Sequence, residues 1–311
     1  MTEKDLQFGR YNTKIKSYRD GSCTVVYCDK NIFMSDNEFI DDDPLLYAAA
    51  LRSLKQSVTK SVTEELNISR PVSKAAEERK RSDSMKRAID KVYDIAFQND
   101  WKYFLTCTIS DNNGFDRNLP IEVYEKLKIW LSNMVSRKGL QYMFIPEYHP
   151  NGNGIHLHGL VNDVLPLVDS GRILFNDGKA WRREDVVKRG FNADSFKTIY
   201  NCPAWKYGFT TAIPVSGSPA RLACYITKYI TKDIKKIFGR YYLSSCNIVR
   251  EPEVICCNTD EFDICVQKPI SHGGMKFKYK SDFLMREDDI NSGRNPTEEI
   301  LKYLSDRGAL V

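Results

Sequence analysis

Between residues 142 and 161 the chain has little freedom of fold. Two runs rich in β-branched and aromatic residues, Tyr142 to Tyr148 and Ile155 to Val161, flank His149-Pro150-Asn151-Gly152-Asn153-Gly154. Asn, Gly and Pro in such density reverse the chain, so the two runs read as adjacent strands joined by a turn. Upstream, Ser82 to Phe97 sets Met85, Ala88, Ile89, Val92, Tyr93, Ala96 and Phe97 on one helical face, followed by a strand over Trp101 to Ile109. A helix over Ile121 to Val135 buries Val123, Leu127, Trp130, Leu131 and Met134; Phe209 to Val215 reads as a strand and Pro219 to Phe238 as a helix. Residues 163–204 read as a long basic insertion with few clear elements. Strands alternating with helices, two of them joined by a turn, predict a compact α+β sheet.

The N-terminal part is different in character. Ile15 to Tyr18 and Cys23 to Cys28 flank Asp20-Gly21, a favoured tight-turn pair, and predict a hairpin. An acidic loop over Asp36 to Pro44 and a helix over Leu45 to Leu66 follow, and the polar segment Asn67 to Arg81 is the expected boundary. The division is therefore 1–78, an N-terminal extension; 79–250, the main domain carrying the insertion; and 251–311, an acidic tail. The longest apolar run, Leu45 to Leu51, is too short to span a membrane, and the first ten residues carry charge with no apolar stretch behind them. The nine cysteines include no Cys-x-x-Cys pair, which argues against a cysteine zinc site. A cytoplasmic protein without membrane partners is expected.

Charge is unevenly spread. Gly171 to Arg240 holds 14 Lys and Arg against 5 Asp and Glu, whereas Glu251 to Val311 holds 8 against 12. A basic stretch of this kind suits a polyanion, of which nucleic acid is the commonest; a solvated basic face is the plain alternative.

Histidine is scarce, and three of the four lie within ten residues: His149, His156 and His158. Side chains alternate along a strand, so His156 and His158 share a face while Leu157 turns into the core. Two such imidazoles can reach one cation at about 2.0–2.3 Å from each nitrogen. Glu147, at the end of the neighbouring strand, supplies the expected third ligand. His149 competes for that role, but Pro150 makes continuation of the strand doubtful.

The helix from Pro219 contains YITKYITKD. At about 100° per residue, Tyr225, Lys228, Tyr229 and Lys232 share a face with Arg221 and Lys236, opposite Ala223, Ile226, Ile230, Ile234 and Ile237. A phenol can attack phosphorus once its developing charge is stabilised, and nearby lysines favour that charge.

FLTCT (Phe104 to Thr108), HLHGLV (His156 to Val161) and YITKYITK (Tyr225 to Lys232), in this order, resemble the three motifs of HUH-type rolling-circle replication initiators. The likeness is to the two-tyrosine kind found in microviruses and related bacterial elements, and it covers about residues 80–250. It implies an HUH endonuclease core with a central, five-stranded antiparallel sheet flanked by helices, to which the N-terminal residues add an α/β extension. It also implies that Glu147, His156 and His158 hold Mg²⁺ or Mn²⁺, that Tyr225 and Tyr229 are nucleophiles, and that Lys228 and Lys232 assist them.

The activity so implied is site- and strand-specific nicking and joining of single-stranded origin DNA through a 5′-phosphotyrosine, in the cytoplasm of a bacterial host. Arg221, Lys236, Trp181, Arg182 and Arg183 are the expected DNA contacts, with Phe191 and Trp205 as further stacking platforms. No G-x-x-x-x-G-K-[ST] string occurs, so unwinding and synthesis would fall to a host helicase and polymerase. A two-tyrosine transposase uses the same chemistry. A non-catalytic origin-binding protein would bind DNA without a covalent adduct.

Overall fold

A computed structural model describes residues 10–33, 74–111, 113–149, 152, 154–232, 236–259 and 278–310. The expected acidic loop at 36–44 and helix at 45–66 lie outside the described residues. The chain divides into two compact units, Arg81–Pro252 and a second made from Met1–Lys80 with Glu253–Val311. The expected hairpin is present as β1 (Arg10–Ser17) and β2 (Cys23–Phe33). Its reversal rests on Gly21, whose φ of +87° suits glycine, and on Asp20, whose carboxylate accepts from the Ser22 amide at 2.9 Å.

The larger unit follows helix α1 (Lys74–Gln98), which spans the unit boundary. It contains β3 (Tyr103–Ile109), α2 (Pro120–Lys138), β4 (Tyr142–Tyr148) and β5 (Ile155–Val161). In β3 the buried positions are Leu105, Cys107 and Ile109, with less buried residues between them. They form one core with Ile155 and Leu157 of β5 and with Val123, Leu127, Trp130 and Leu131 of α2. Full burial of an aliphatic or aromatic side chain contributes about 1.5–3 kcal/mol, so this face is fixed against α2 and the alternate residues must look the other way.

The insertion at 163–204 is more regular than its sequence suggests. It supplies β6 (Val168–Leu174), β7 (Ala180–Arg182), the short helix α3 (Arg183–Lys188) and β8 (Lys197–Asn201), around a small core of Ile173, Val186 and Ala193. These strands have mostly exposed side chains and no alternation of apolar and polar residues, which removes the usual sequence signal. With β9 (Gly208–Pro214) and, beyond helix α4 (Pro219–Lys232), β10 (Leu243–Ser244), they complete an eight-stranded antiparallel sheet. Its order is β10-β4-β5-β3-β9-β8-β6-β7. The architecture is α+β and consistent with an HUH core, with more strands than the five implied by resemblance. The expected helix to Phe238 stops at Lys232; Ile237–Gly239 forms a separate 3-10 turn, and Ile234 lies outside the described residues.

The other unit joins the two ends of the chain. The hairpin is flanked by β11 (Glu253–Cys257) on β1 and by β12 (Lys278–Phe283) on β2, giving the order β11-β1-β2-β12. Two helices follow, α5 (Glu287–Ser292) and α6 (Pro296–Asp306). Ile15, Cys23, Val25 and Cys257 of the sheet pack with Ile300 and Leu304 of α6. Buried Asn12 fixes the far end of β1: its amide nitrogen donates to the Thr259 carbonyl at 2.6 Å, and its oxygen accepts from the Thr259 amide at 3.0 Å. The sequence treats 1–78 and 251–311 as separate stretches, whereas their strands share one sheet. Among the described residues no helix is long and apolar enough to cross a membrane.

Candidate active site

Strand β5 lies between β3 and β4, and its register sets the site. His156 faces Thr108 on one side and Glu147 on the other; His158 faces Thr106 and Ile145. With the odd positions of β3 and β5 held against α2, Thr106, Thr108, His156 and His158 emerge together on the opposite face. The Thr108 hydroxyl lies 2.9 Å from His156 Nδ1, and the Thr106 hydroxyl 3.2 Å from His158 Nδ1. Each imidazole is therefore oriented through its Nδ1, with Nε2 directed elsewhere.

His158 Nε2 lies 3.0 Å from Glu147 Oε2, and both side chains are largely buried. His156 Nε2 lies 2.9 Å from Nδ1 of His149, whose ring sits 3.5 Å from its own, centroid to centroid. His149 is thus part of the constellation although it stands just past the end of β4, where its amide donates to the Gly154 carbonyl. Burial, followed by neighbouring His149 and Arg117, pulls His156 down to about 4, so its ring is neutral at pH 7. His149 is lowered too, by burial first and then by Arg117, with Glu147 opposing. Arg117, held through Asp111 and the Ile109 carbonyl, is a contributor that sequence spacing does not reveal.

Helix α4 lies against β4 and β5, burying Ala220, Ala223, Ile226 and Ile230. The helical spacing then brings Tyr225 and Tyr229 out on one side. Their hydroxyls are 3.0 Å apart, and either can donate to the other. The Tyr229 ring stacks on His158 with centroids 4.3 Å apart, and Phe104 touches both phenol rings, at 5.2 and 5.8 Å. Tyr225 is 45% exposed. Burial, then the hydrogen bond to Tyr225, pushes the Tyr229 phenol well above its usual range, so it keeps its proton. Lys228 is exposed on the same helix; the side chain of Lys232 lies outside the described residues.

The other expected DNA contacts are scattered. Arg221 is exposed on α4, and Lys236 sits 5.1 Å over the Tyr241 ring. In the insertion Arg182 is exposed, but Arg183 is engaged by Asp169 and Asp194. Trp181 donates to Asp177 and carries the Arg189 guanidinium 4.2 Å above its ring. Phe191 is exposed and packs edge-on against Phe175. Trp205 cannot be a stacking platform: it is 5% exposed, donates to the Thr108 carbonyl and packs against Trp130. Thr106 and Thr108 are the residues whose part the motif pattern alone did not disclose. Their spacing of two, matching that of the histidines, is the signal that could have found them.

The donors fit a divalent ion in chemistry. His156 is neutral, its Nδ1 is fixed by Thr108, and a carboxylate stands directly across the strand pair. His149 Nε2 is buried without a hydrogen-bond partner among the described residues, a sign that polar matter belongs there. As they stand, however, no three His, Cys, Asp or Glu side chains among the described residues are gathered so as to hold an ion. The imidazoles are turned instead towards His149 and Glu147.

An α+β domain with paired imidazoles, a carboxylate and two phenols on one face of an antiparallel sheet is thus defined by fold and side chains alone. Residues 102–234 match a family model described as replication-associated protein ORF2, which is consistent with a rolling-circle replication initiator. The match runs from the start of β3 to the end of α4, so it encloses both histidines and both tyrosines. No curated protein and no solved structure matches the chain.

Proposed function

We propose that this chain initiates rolling-circle replication by nicking and rejoining single-stranded origin DNA. The observation that carries this reading is the stacking of Tyr229 on His158 with its hydroxyl 3.0 Å from that of Tyr225. Two nucleophiles therefore stand beside one polar cluster. In the nicking step a phenol oxygen bonds to the scissile phosphorus, the phosphorus–O3′ bond breaks, and the 3′-oxygen leaves with a proton. The protein is then joined to the new 5′ end, and the free 3′-hydroxyl primes synthesis by a host polymerase, with a host helicase unwinding ahead.

The chain's own groups divide the work. Glu147, His156 and His158 would hold Mg²⁺ or Mn²⁺, which when bound neutralises charge on the phosphate oxygens. Thr106 and Thr108 orient the imidazoles through Nδ1. Phe104 holds both phenol rings in place. Lys228, three residues beyond Tyr225, favours the phenolate and contacts phosphate.

The test is incubation with single-stranded origin DNA and Mn²⁺, followed by denaturing gel electrophoresis. The expected result is an adduct that survives denaturation and is absent from the Tyr225→Phe/Tyr229→Phe double variant. Binding of DNA with no adduct from the unaltered chain would replace this reading with that of a non-catalytic origin-binding protein.

A further inference from the structure

We propose that a groove leading from Tyr225 to the insertion is a binding site for the nucleotides adjoining the scissile phosphate. This rests on the reading of the chain as a single-stranded DNA nickase. The groove encloses about 600 Å³ between α4 on one side and β9, β8 and β6 on the other. That falls inside the ~300–1,000 Å³ range of clefts that take small organic ligands, the size class of a nucleotide.

Its composition specifies the occupant. Leu174, Ile213, Pro214 and Leu222 give it an apolar lining, and Phe104 presents an aromatic ring at the end next to the tyrosine. Lys197, Arg221 and Lys228 are also among the lining residues, and none of these is acidic. An apolar floor with an aromatic end and cations alone suits bases on the floor and phosphates at the rim. An acidic peptide would meet the cations but leave the ring without a planar partner.

Continuity with the site gives the direction. Phe104 and Tyr225 belong both to the groove and to the phenol cluster, so a strand lying in the groove reaches the nucleophile without leaving the surface. The far wall comes from the insertion, through Leu174 of β6 and Lys197 of β8; Lys197 is steadied by donating to the Pro214 carbonyl at 3.2 Å. Residues 163–204 thereby acquire a role: they extend the sheet far enough to give the tyrosine helix a facing wall.

Cys224 makes the proposal testable with the chain as it is. It is exposed and lines the groove, whereas Cys246 is exposed in a separate depression beside Tyr142 and Arg240. In EDTA, with a fluorescent single-stranded oligonucleotide shown by anisotropy to be bound, alkylation by N-ethylmaleimide is followed by peptide mapping. The expected result is suppression of Cys224 modification several-fold with Cys246 unchanged. Equal alkylation of Cys224 with and without bound oligonucleotide, or equal suppression at both cysteines, overturns the groove. A second measurement uses Lys197→Ala, which removes one phosphate contact on the far wall and should lower the slope of log affinity against log salt by about 0.7. An unchanged slope overturns the groove as well. Adduct formation with Cys224 unprotected would sink the groove and leave the nickase standing; Cys224 protected without any adduct would do the reverse. An oligonucleotide that does not bind at all overturns both.

Discussion

Gly159 follows the second histidine of the motif directly, and replacing it with alanine tests how tightly β5 is clasped. Gly159 lies opposite Phe144 of β4 and Leu105 of β3. A Cβ there would stand inside the van der Waals envelope of the Phe144 ring and of the Met143 carbonyl oxygen, nearer than real Cβ atoms approach. The ring is fully buried and the carbonyl is backbone, so neither clash is relieved by a side chain swinging into solvent. Overpacking typically costs ~1–3 kcal/mol, and two clashes, one with backbone, place this change at about 3 kcal/mol. In a unit of this size each kcal/mol lowers the melting temperature by roughly 2–4 °C, so the midpoint should fall by about 6–12 °C. The assay follows tryptophan fluorescence on heating. All four tryptophans, Trp101, Trp130, Trp181 and Trp205, lie within Arg81–Pro252, so the signal reports that unit alone. Adding Phe144→Leu to Gly159→Ala should recover only part of the loss, because the carbonyl clash remains. A midpoint unchanged from the parent protein would refute the packing argument. If the strands part to accept the methyl group, Glu147 moves from His156, and nicking should fall even at temperatures where the fold survives.

Thr108→Val keeps the shape and the strand preference of the residue but removes the hydroxyl on His156; Mn²⁺ affinity by calorimetry should weaken about 10–100-fold with the circular dichroism unchanged. His156→Ala and His158→Ala should each abolish nicking while oligonucleotide binding stays within a few-fold, and full nicking by the double variant would end the metal-site reading. Tyr225→Phe and Tyr229→Phe should each still form some adduct yet fail to release a closed circle; peptide mapping of the linked fragment shows whether one variant is instead inert. The depressed His156 predicts a pH effect in EDTA. The unfolded chain takes up the proton near the ordinary 6.5 and the folded chain only near about 4, so stability present above 6.5 is lost as pH falls between those values. The urea midpoint should drop more over that window in the parent than in His156→Gln, and equal drops would count against a neutral, buried His156.

What the sequence disclosed depended on whether a residue's neighbours in space are also its neighbours in the chain. Strands β4 and β5 were legible to the residue, because each is an apolar run bounded by turn formers. The two phenols were legible because a helix repeats every 3.6 residues, and Tyr225 and Tyr229 need no other element to place them side by side. The hydroxyl partners of the histidines were not, since Thr106 meets His158 only through the β3–β5 register. His149 was discounted on Pro150, yet its ring folds back onto His156 from beyond the strand end. Trp205 was misread because an aromatic residue in a basic stretch looks the same in sequence whether it faces water or, as here, Trp130. Nothing local announces that β1 will pair with β11, some 240 residues away.

That last pairing imposes an order of events on the growing chain. The hairpin of β1 and β2 leaves the ribosome early, but both of its outer edges wait for strands that are not made until more than 200 residues later. At ~5–20 residues per second the delay is on the order of ten seconds to a minute. In that interval all of Arg81–Pro252 emerges and can close its own core, while the hairpin shows two unpaired rows of amides and carbonyls, the kind of edge that recruits other chains. Shortening the chain before β12 would make that transient exposure permanent, so C-terminal truncation should yield aggregation led from the N-terminus, with the catalytic unit itself still folded.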